Sequence, residues 1–381
     1  MSRLPPLRKP LTEKPENSFT LSSEYYTDRD VFELEKERIF YRSWQYVAHE
    51  CMLPDAGDYI TLRLCDENLF VIRSSDGQLR SFYNVCKHRA HELLEGRGNL
   101  RKLIVCPYHA WSYDNRGELV RAPMSEHRED FDNSLFCLRE IRLEIFCGCI
   151  FVNLDDDADS LHAIAGDLEA DIRSKLPYLD ELQYCGANML GETRIEAGWK
   201  VIVDNYVECY HCRPAHRDFA SIIDMDSYQT TTHGCWSRQV GADIRYQNSA
   251  YEIDPEIGIQ GSFFWYLWPN TTFNVLPGSN ELGIFIARPV DVGMTDFGGH
   301  SFAADGKMYE PRANYAAEIL APEDISLCES VQRGLRSRSY DQGAFMTDPG
   351  RPGESEHALH HFHRLVLQAL GDYHDPAARV D

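Results

Sequence analysis

Two histidines, His211 and His216, are separated by four residues within the stretch 204–219, DNYVECYHCRPAHRDF, and Glu208 lies three residues before the first. On a helix, residues three apart are neighbours, so Glu208 and His211 would share a face. His211 and His216 would instead diverge by roughly 140° at 3.6 residues per turn. To bind one metal together they need a distorted turn between them. Pro214 supplies a cause, because it removes a backbone N–H and clashes with the preceding turn. Two imidazoles and one carboxylate from elsewhere make the facial triad of a non-haem Fe(II) centre, which keeps positions open for oxygen and substrate. Taken alone, two nearby histidines on a helix more often cap, hydrogen-bond or pack.

A second constellation lies upstream, in residues 86–111, CKHRAHELLEGRGNLRKLIVCPYHAW. Its candidate ligands are Cys86, His88, Cys106 and His109, spaced Cys-x-His, seventeen residues, Cys-x2-His. A mixed set of two thiolates and two imidazoles can hold tetrahedral zinc, but zinc sites usually pair Cys with Cys across a short spacer. Here each short motif supplies one of each. That alternation suits a Rieske [2Fe–2S] cluster, in which one iron takes both thiolates and the other both imidazoles. Gly96 and Gly98 between the loops allow tight turns. Neutral imidazoles leave the cluster less negative and raise its potential to roughly −150 to +300 mV. Such a cluster relays single electrons and does no substrate chemistry, so it needs a destination, and the His211/His216 stretch is the obvious one. His91, Cys51, Cys65 and Cys137 read as buried packing residues. So do Cys209 and Cys212, although their C-x-x-C spacing also invites a redox or zinc reading.

The elements that must carry these residues can be read from the same pattern. At 381 residues, with 43% hydrophobic and 12% aromatic residues, the chain has ample core for one large domain or two ordinary ones. Its net charge of −22, from 38 basic and 60 acidic residues, disfavours nucleic acid and anionic lipid and favours cationic small molecules or basic partners. The first eighteen residues, MSRLPPLRKPLTEKPENS, are Pro-rich and polar without an apolar core, which points away from a signal peptide. No apolar run reaches the length of a membrane span. The cytoplasm is the expected compartment, and the twelve cysteines are expected as thiols or metal ligands before disulfides.

Residues 1–44 read as an extended arm and one amphipathic helix over 27–44, capped by Thr27 or Asp28 and packing on the catalytic domain. Short alternating runs at 59–64, 69–73, 79–83, 103–106, 111–113 and 150–153, with turns at Asp76-Gly77 and Asn115-Arg116-Gly117, predict a small antiparallel β domain over 45–157. Helix returns at 161–176. Beyond it, strands at 191–196, 263–268, 272–275 and 282–288 mix with helices around 200–213, 313–320, 322–335 and 356–370. The fold class is α+β: an N-terminal antiparallel β domain packed on an α+β catalytic domain, over 158–381, whose antiparallel sheet is covered by helices.

A third block, APEDISLCESVQRGLR at 321–336, opens a helix after Pro322 with Glu323 and Asp324, which on their own could simply complement the helix dipole. The Cys-x-His…Cys-x2-His block, NYVECYHCRPAH and PEDISLCESVQRGL occur in the order found in the catalytic α subunits of Rieske non-haem iron oxygenases, and the ending SEHALHHFHRLV resembles one branch of them. The resemblance covers residues 25–370. It implies that Cys86, His88, Cys106 and His109 hold the cluster, and that His211, His216 and Asp324 hold the mononuclear iron, with Glu323 the second choice. It also implies a homotrimer in which the cluster of one subunit faces the iron of the next. Glu208 would then bond His109 across that interface and His211 in its own chain, as an electron bridge. Ring-hydroxylating dioxygenases carry Asp at this position. Glu within ECYHC is similar to the carnitine monooxygenase branch and to those acting on glycine betaine, choline and stachydrine.

The chemistry implied by the resemblance uses O2, Fe(II) and electrons from NAD(P)H passed through a flavin/iron–sulfur reductase. Oxidation of a carbon next to nitrogen would cleave the C–N bond of a quaternary ammonium compound such as carnitine and release trimethylamine. The alternatives are N-demethylation of glycine betaine or stachydrine, or hydroxylation of an aromatic compound. A quaternary ammonium ion has no N–H to donate and is held by aromatic faces. Tyr206, two residues before Glu208, and the aromatic strand FFWYLW at 263–268, with Phe263 and Trp265, are the candidates to line its pocket.

Overall fold

The computed structural model describes residues 4–100, 102–187 and 193–371. They fall into two compact units, one of residues 41–161 and one that combines 1–40 with 162–381. The class is α+β, as expected.

The unit 41–161 is built on a seven-stranded antiparallel sheet. Its order is Gln45–His49, Cys149–Asn153, Glu140–Phe146, Leu79–Tyr83, Glu67–Arg73, Asp58–Leu64, Arg97–Asn99. A smaller sheet of Ile104–Val105, Ser112–Tyr113 and Leu119–Arg121 completes it. The two predicted turns form. Gly77 adopts φ +83°, a left-handed value that favours glycine, and Asp114 accepts the N–H groups of Arg116 and Glu118 at 2.9 and 3.0 Å. The core of this unit packs Phe70, Phe82, Ile104 and Tyr113 around Cys86 and Cys106, so both sulfurs lie inside it. Four strands escaped the sequence reading. Gln45–His49 is buried at every position and so shows no alternation, whereas EIRLEIF at Glu140–Phe146 does alternate and its signal was available.

The second unit contains an eight-stranded antiparallel sheet. Along it run Gln183–Ala187, Met294–Ala303, Glu281–Asp291, Thr271–Val275, Ser262–Leu267, Trp236–Gly241 and Gln229–His233, and Thr193–Ile195 also pairs with Met294–Ala303. The strand expected over 191–196 is therefore seen from 193, its first two positions lying outside the described residues. Trp199–Tyr206 packs on Glu281–Asp291 and on the helix Ala321–Leu335.

Two helices differ from expectation in instructive ways. The N-terminal one is capped by Asp28, whose side chain accepts Asp30 N–H at 2.7 Å, and runs over Arg29–Glu35 before a π turn at Lys36–Phe40. Its last residue, Glu35, is fully buried against Lys200 and accepts Trp199 Nε1–H at 2.8 Å, which ties this segment to the start of the helix Trp199–Tyr206. The helices expected over 313–320 and 322–335 form one continuous run, Glu310–Tyr315, a π turn at Ala316–Leu320, then Ala321–Leu335. Pro322 accounts for the π turn, because its ring cannot accept the normal spacing to the carbonyl one turn earlier. Among the described residues no helix is long and apolar enough to cross a membrane.

Candidate metal centres

The helix expected over 200–213 stops early. Val207 N–H bonds Val203 O at 3.0 Å to close Trp199–Tyr206, and the chain then turns through 207–211 before the short helices Cys212–Ala215 and Arg217–Ile222. Glu208 shapes that turn. One carboxylate oxygen accepts the N–H of Tyr210 and, at 3.3 Å, that of His211, while the other lies 2.5 Å from His211 Nδ1. Pro214 sits in the first turn of Cys212–Ala215, where its missing N–H costs nothing. The distortion that brings the histidines together therefore comes from the Glu208 turn and from the bend at His216, with φ −113° and ψ 69°, more than from the proline.

The result is convergence. His211, His216 and Asp324 each offer a ligand atom, and these atoms lie within 4.8 Å of one another. His216 Nε2 is 2.9 Å and His211 Nε2 3.7 Å from the same Asp324 oxygen. The other ring nitrogens are held from behind, His211 Nδ1 by Glu208 and His216 Nδ1 by Glu323 at 2.8 Å. Carboxylates backing metal-ligating histidines fix the tautomer and ring orientation. Glu323, the second choice as ligand, thus lies behind His216 and Asp324 lies between the two rings.

The electrostatics ask for a cation. Burial opposes the charged form of Asp324, yet its hydrogen bonds to His211 and His216 prevail and hold the carboxyl down at about 2. Burial likewise disfavours a charged His211, but Asp324 and Glu208 outweigh it and raise the imidazole to about 10. His216 is raised for the same reasons, burial again opposing Asp324 and Glu323. In the bare protein protons supply this positive charge, and a divalent metal would displace them. Two imidazoles and a carboxylate on one side of a shared point fit a mononuclear non-haem iron.

One expectation fails here. Cys209 and Cys212 were read as packing thiols, and instead form a disulfide with Cα atoms 4.9 Å apart. Both are buried and packed with Phe219, Ile222 and Tyr228, so their surroundings match the packing reading while their chemistry does not. The bond closes the loop that carries His211.

In the unit 41–161, Cys86 and Cys106 start two loops with the same backbone pattern. Cys86 N–H bonds His91 O and Cys106 N–H bonds Trp111 O, both at 2.8 Å; Ala90 N–H bonds Cys86 O and Ala110 N–H bonds Cys106 O, both at 3.0 Å. Each loop turns through an alanine in the left-handed region, Ala90 at φ 55° and Ala110 at φ 59°. No glycine marked these turns, so sequence reasoning missed them. The thiols are buried and His88 is exposed, with the His88 and His109 rings 4.6 Å apart and His88 stacked on Trp111 at 4.9 Å. Burial above all pushes the Cys106 thiol up; the N–H groups of Tyr108 and His109 oppose it, and the adjacent Cys86 adds to it. His109 Nδ1 is buried with no hydrogen-bond partner. A buried orphan nitrogen beside a second imidazole, over two adjoining thiols, fits a cluster ligated by sulfur on one iron and nitrogen on the other.

A cavity of about 220 Å³ is lined by His211, His216 and Asp324. That is small beside the roughly 300–1,000 Å³ of pockets for drug-sized ligands, and suits a small substrate. Tyr206, Phe264, Phe285 and Phe297 give it aromatic walls, and Glu208 adds a second carboxylate to Asp324. Tyr206 is fixed by donating to Asn274 at 2.8 Å. Phe263 and Trp265, expected in the pocket, are not among its lining residues. Trp265 Nε1 donates to Asp171 at 2.7 Å and Phe263 lies under Lys175, so both face the helix Leu168–Lys175. Successive strand side chains point to opposite faces. Phe264, between them, turns to the cavity side and meets Phe219 at 5.9 Å.

Comparison with known proteins agrees with both centres. Residues 43–139 match the family model of the Rieske [2Fe-2S] domain, and residues 179–372 that of the ring hydroxylating alpha subunit (catalytic domain). The carnitine monooxygenase oxygenase subunit of Acinetobacter pittii (strain PHEA-2) is 38% identical over 372 residues, covering 97% of this chain and 99% of that protein. Its counterpart in Escherichia coli (strain K12) is 37% identical over 380 residues, covering 98% of this chain and all of that one. A solved structure of the quaternary ammonium Rieske monooxygenase CntA in complex with L-carnitine superposes with a TM-score of 0.84 at 37% identity, covering 93% of this chain and 97% of that one.

Proposed function

The chain belongs to the Rieske non-haem iron oxygenases, and from that premise we propose that it is the oxygenase component of a two-component monooxygenase that cleaves a C–N bond of a quaternary ammonium compound such as carnitine, releasing trimethylamine. The observation that carries this reading is the cavity, in which aromatic walls and carboxylates surround the converged His211, His216 and Asp324. An ammonium ion without N–H is attracted to aromatic faces, by about 2 kcal/mol or more when desolvated, and the negative charge of Glu208 adds to that attraction. A neutral hydrocarbon packs on the same walls but gains neither of these charge-dependent attractions.

In this reading residues 45–157 carry the [2Fe–2S] cluster and residues 158–381 the catalytic iron. A flavin/iron–sulfur reductase supplies two electrons from NAD(P)H. His211, His216 and Asp324 would hold the iron, which would supply oxygen activation. The residues around it provide the rest. Glu208 holds His211 by its Nδ1 and, in a homotrimer, reaches His109 of the next subunit to join the two centres. Glu323 holds His216. Tyr206 and Phe264 hold the ammonium head so that its CH group faces the triad, and the apolar wall keeps water away. The substrate, O2, two electrons and two protons give water and an alcohol on the carbon next to nitrogen. That alcohol collapses by breaking the C–N bond, the bonding pair leaving with nitrogen and the hydroxyl proton being released, to give an aldehyde and free trimethylamine. The compartment in this reading is the cytoplasm.

Supplying carnitine, γ-butyrobetaine, glycine betaine and stachydrine in turn, with a compatible reductase, and measuring trimethylamine and formaldehyde separately tests it. Trimethylamine from carnitine or γ-butyrobetaine is the expected result. Formaldehyde without trimethylamine moves the protein to the demethylases, and oxygen uptake only with an aromatic acid defeats the substrate claim.

A further inference from the structure

An ammonium head does not distinguish carnitine from choline; the other end of the molecule does. Among the described residues that line the cavity, Arg312 is the one Lys or Arg. Its side chain is about nine-tenths buried, with one terminal nitrogen paired to the buried carboxylate of Glu281 and with Nε buried without a hydrogen-bond partner. Glu281 is itself fixed by the N–H of Tyr309. A guanidinium presents five donors in a rigid fork suited to carboxylates, and this one is held in place by Glu281 with donor capacity left over.

We propose that Arg312 receives a carboxylate at the tail of the substrate, so that the cavity selects quaternary ammonium acids over quaternary ammonium alcohols; this rests on the quaternary ammonium reading above. Arg312 and Asp324 stand on the same continuous helical run, twelve residues apart with the π turn between them. Between them Ala316, Ala317 and Ala321 line the cavity with small side chains, leaving a path for a chain. γ-Butyrobetaine and carnitine reach further than glycine betaine, and choline offers Arg312 no charge to meet.

The experiment is equilibrium binding to the metal-loaded, oxidised protein, which does not turn over, with γ-butyrobetaine, its carboxamide and choline as probes. Arg312→Met combined with Glu281→Gln, which leaves no buried charge unpaired, should weaken γ-butyrobetaine by roughly 10- to 100-fold, with choline and the carboxamide unchanged. Glu281→Gln alone frees the guanidinium and should do the reverse, tightening γ-butyrobetaine several-fold and weakening choline. A purely structural ion pair would not move the two ligands in opposite directions. Folded variants that bind γ-butyrobetaine like the wild type, or that weaken all three probes alike, overturn the assignment alone. Wild-type protein that binds none of the three overturns the quaternary ammonium reading and the assignment with it.

Discussion

Asp324→Asn should abolish turnover while leaving a red-brown protein whose cluster iron and acid-labile sulfide are intact. Only the additional iron should be lost. Asp324 is the anion between two imidazoles, 2.9 Å from His216 Nε2 and 3.7 Å from His211 Nε2. An amide in its place removes the charge that the two rings and a metal share. Carboxylates behind metal-ligating histidines typically contribute 10- to 100-fold in affinity, so loss of a group in the ligand shell itself should exceed about 100-fold. Glu323→Gln provides the graded comparison. Glu323 touches His216 only at Nδ1, so its loss should weaken iron retention by roughly 10- to 100-fold and leave activity that added Fe(II) restores. Metal analysis and sulfide assay on the two variants separate these outcomes. Full iron content in Asp324→Asn would remove that residue from the centre.

Glu208→Gln should differ in what added Fe(II) can restore. Glu208 backs His211 as Glu323 backs His216, so iron retention should weaken too. With Fe(II) resupplied and both centres occupied, however, turnover should stay lost. The amide oxygen can still accept the backbone N–H groups of Tyr210 and His211, so the turn at 207–211 should persist. What disappears is the negative charge and, in the proposed trimer, the capacity to bridge two imidazoles, since charge-assisted hydrogen bonds are roughly twice as strong as neutral ones. The expected fall is at least about tenfold in turnover, about 1.4 kcal/mol in the barrier, and it should appear in the rate at which the reduced cluster is reoxidised in the presence of O2 and substrate. Glu208→Asp keeps a carboxylate on a shorter stem and should retain part of the activity. Unchanged reoxidation in the Gln variant would show that no bridge through this side chain is needed.

How much of this was legible in the amino-acid chain depends on how local each signal was. The cluster loops were, because Cys and His recur within three residues of each other twice, although the left-handed turns at Ala90 and Ala110 carried no glycine to announce them. That His211 and His216 would approach was legible only as a conditional, since an ideal helix separates them. The turn made by Glu208 resolves it, and a carboxylate accepting N–H groups two and three residues on is local chemistry that could have been foreseen. Asp324 was not legible from spacing at all. It lies 108 positions after His216, and nothing near it distinguishes a ligand from an ordinary acidic helix start, so only family resemblance pointed to it. Tyr206 was placed in the pocket and lines it, whereas Phe263 and Trp265 went wrong for another reason. In FFWYLW almost every position is aromatic, so the strand period of two is invisible and the choice of Phe263 and Trp265 over Phe264 had no physical basis. The disulfide was a misjudged signal. The C-x-x-C spacing was in plain view, and the expectation of reduced thiols overrode it.

The central claim, that this chain itself oxidises a quaternary ammonium compound, is tested most directly by a single turnover without any reductase. Protein loaded with iron is reduced chemically, freed of reductant under anaerobic conditions, mixed with carnitine or γ-butyrobetaine, and exposed to O2. The electron stored in the cluster and the one stored at the ferrous centre suffice for one reaction per chain. The account predicts release of trimethylamine, at most one per chain, in step with the return of the oxidised cluster spectrum, and none from Asp324→Asn. A cluster that reoxidises fully in the wild-type protein while both substrates are recovered intact would contradict it.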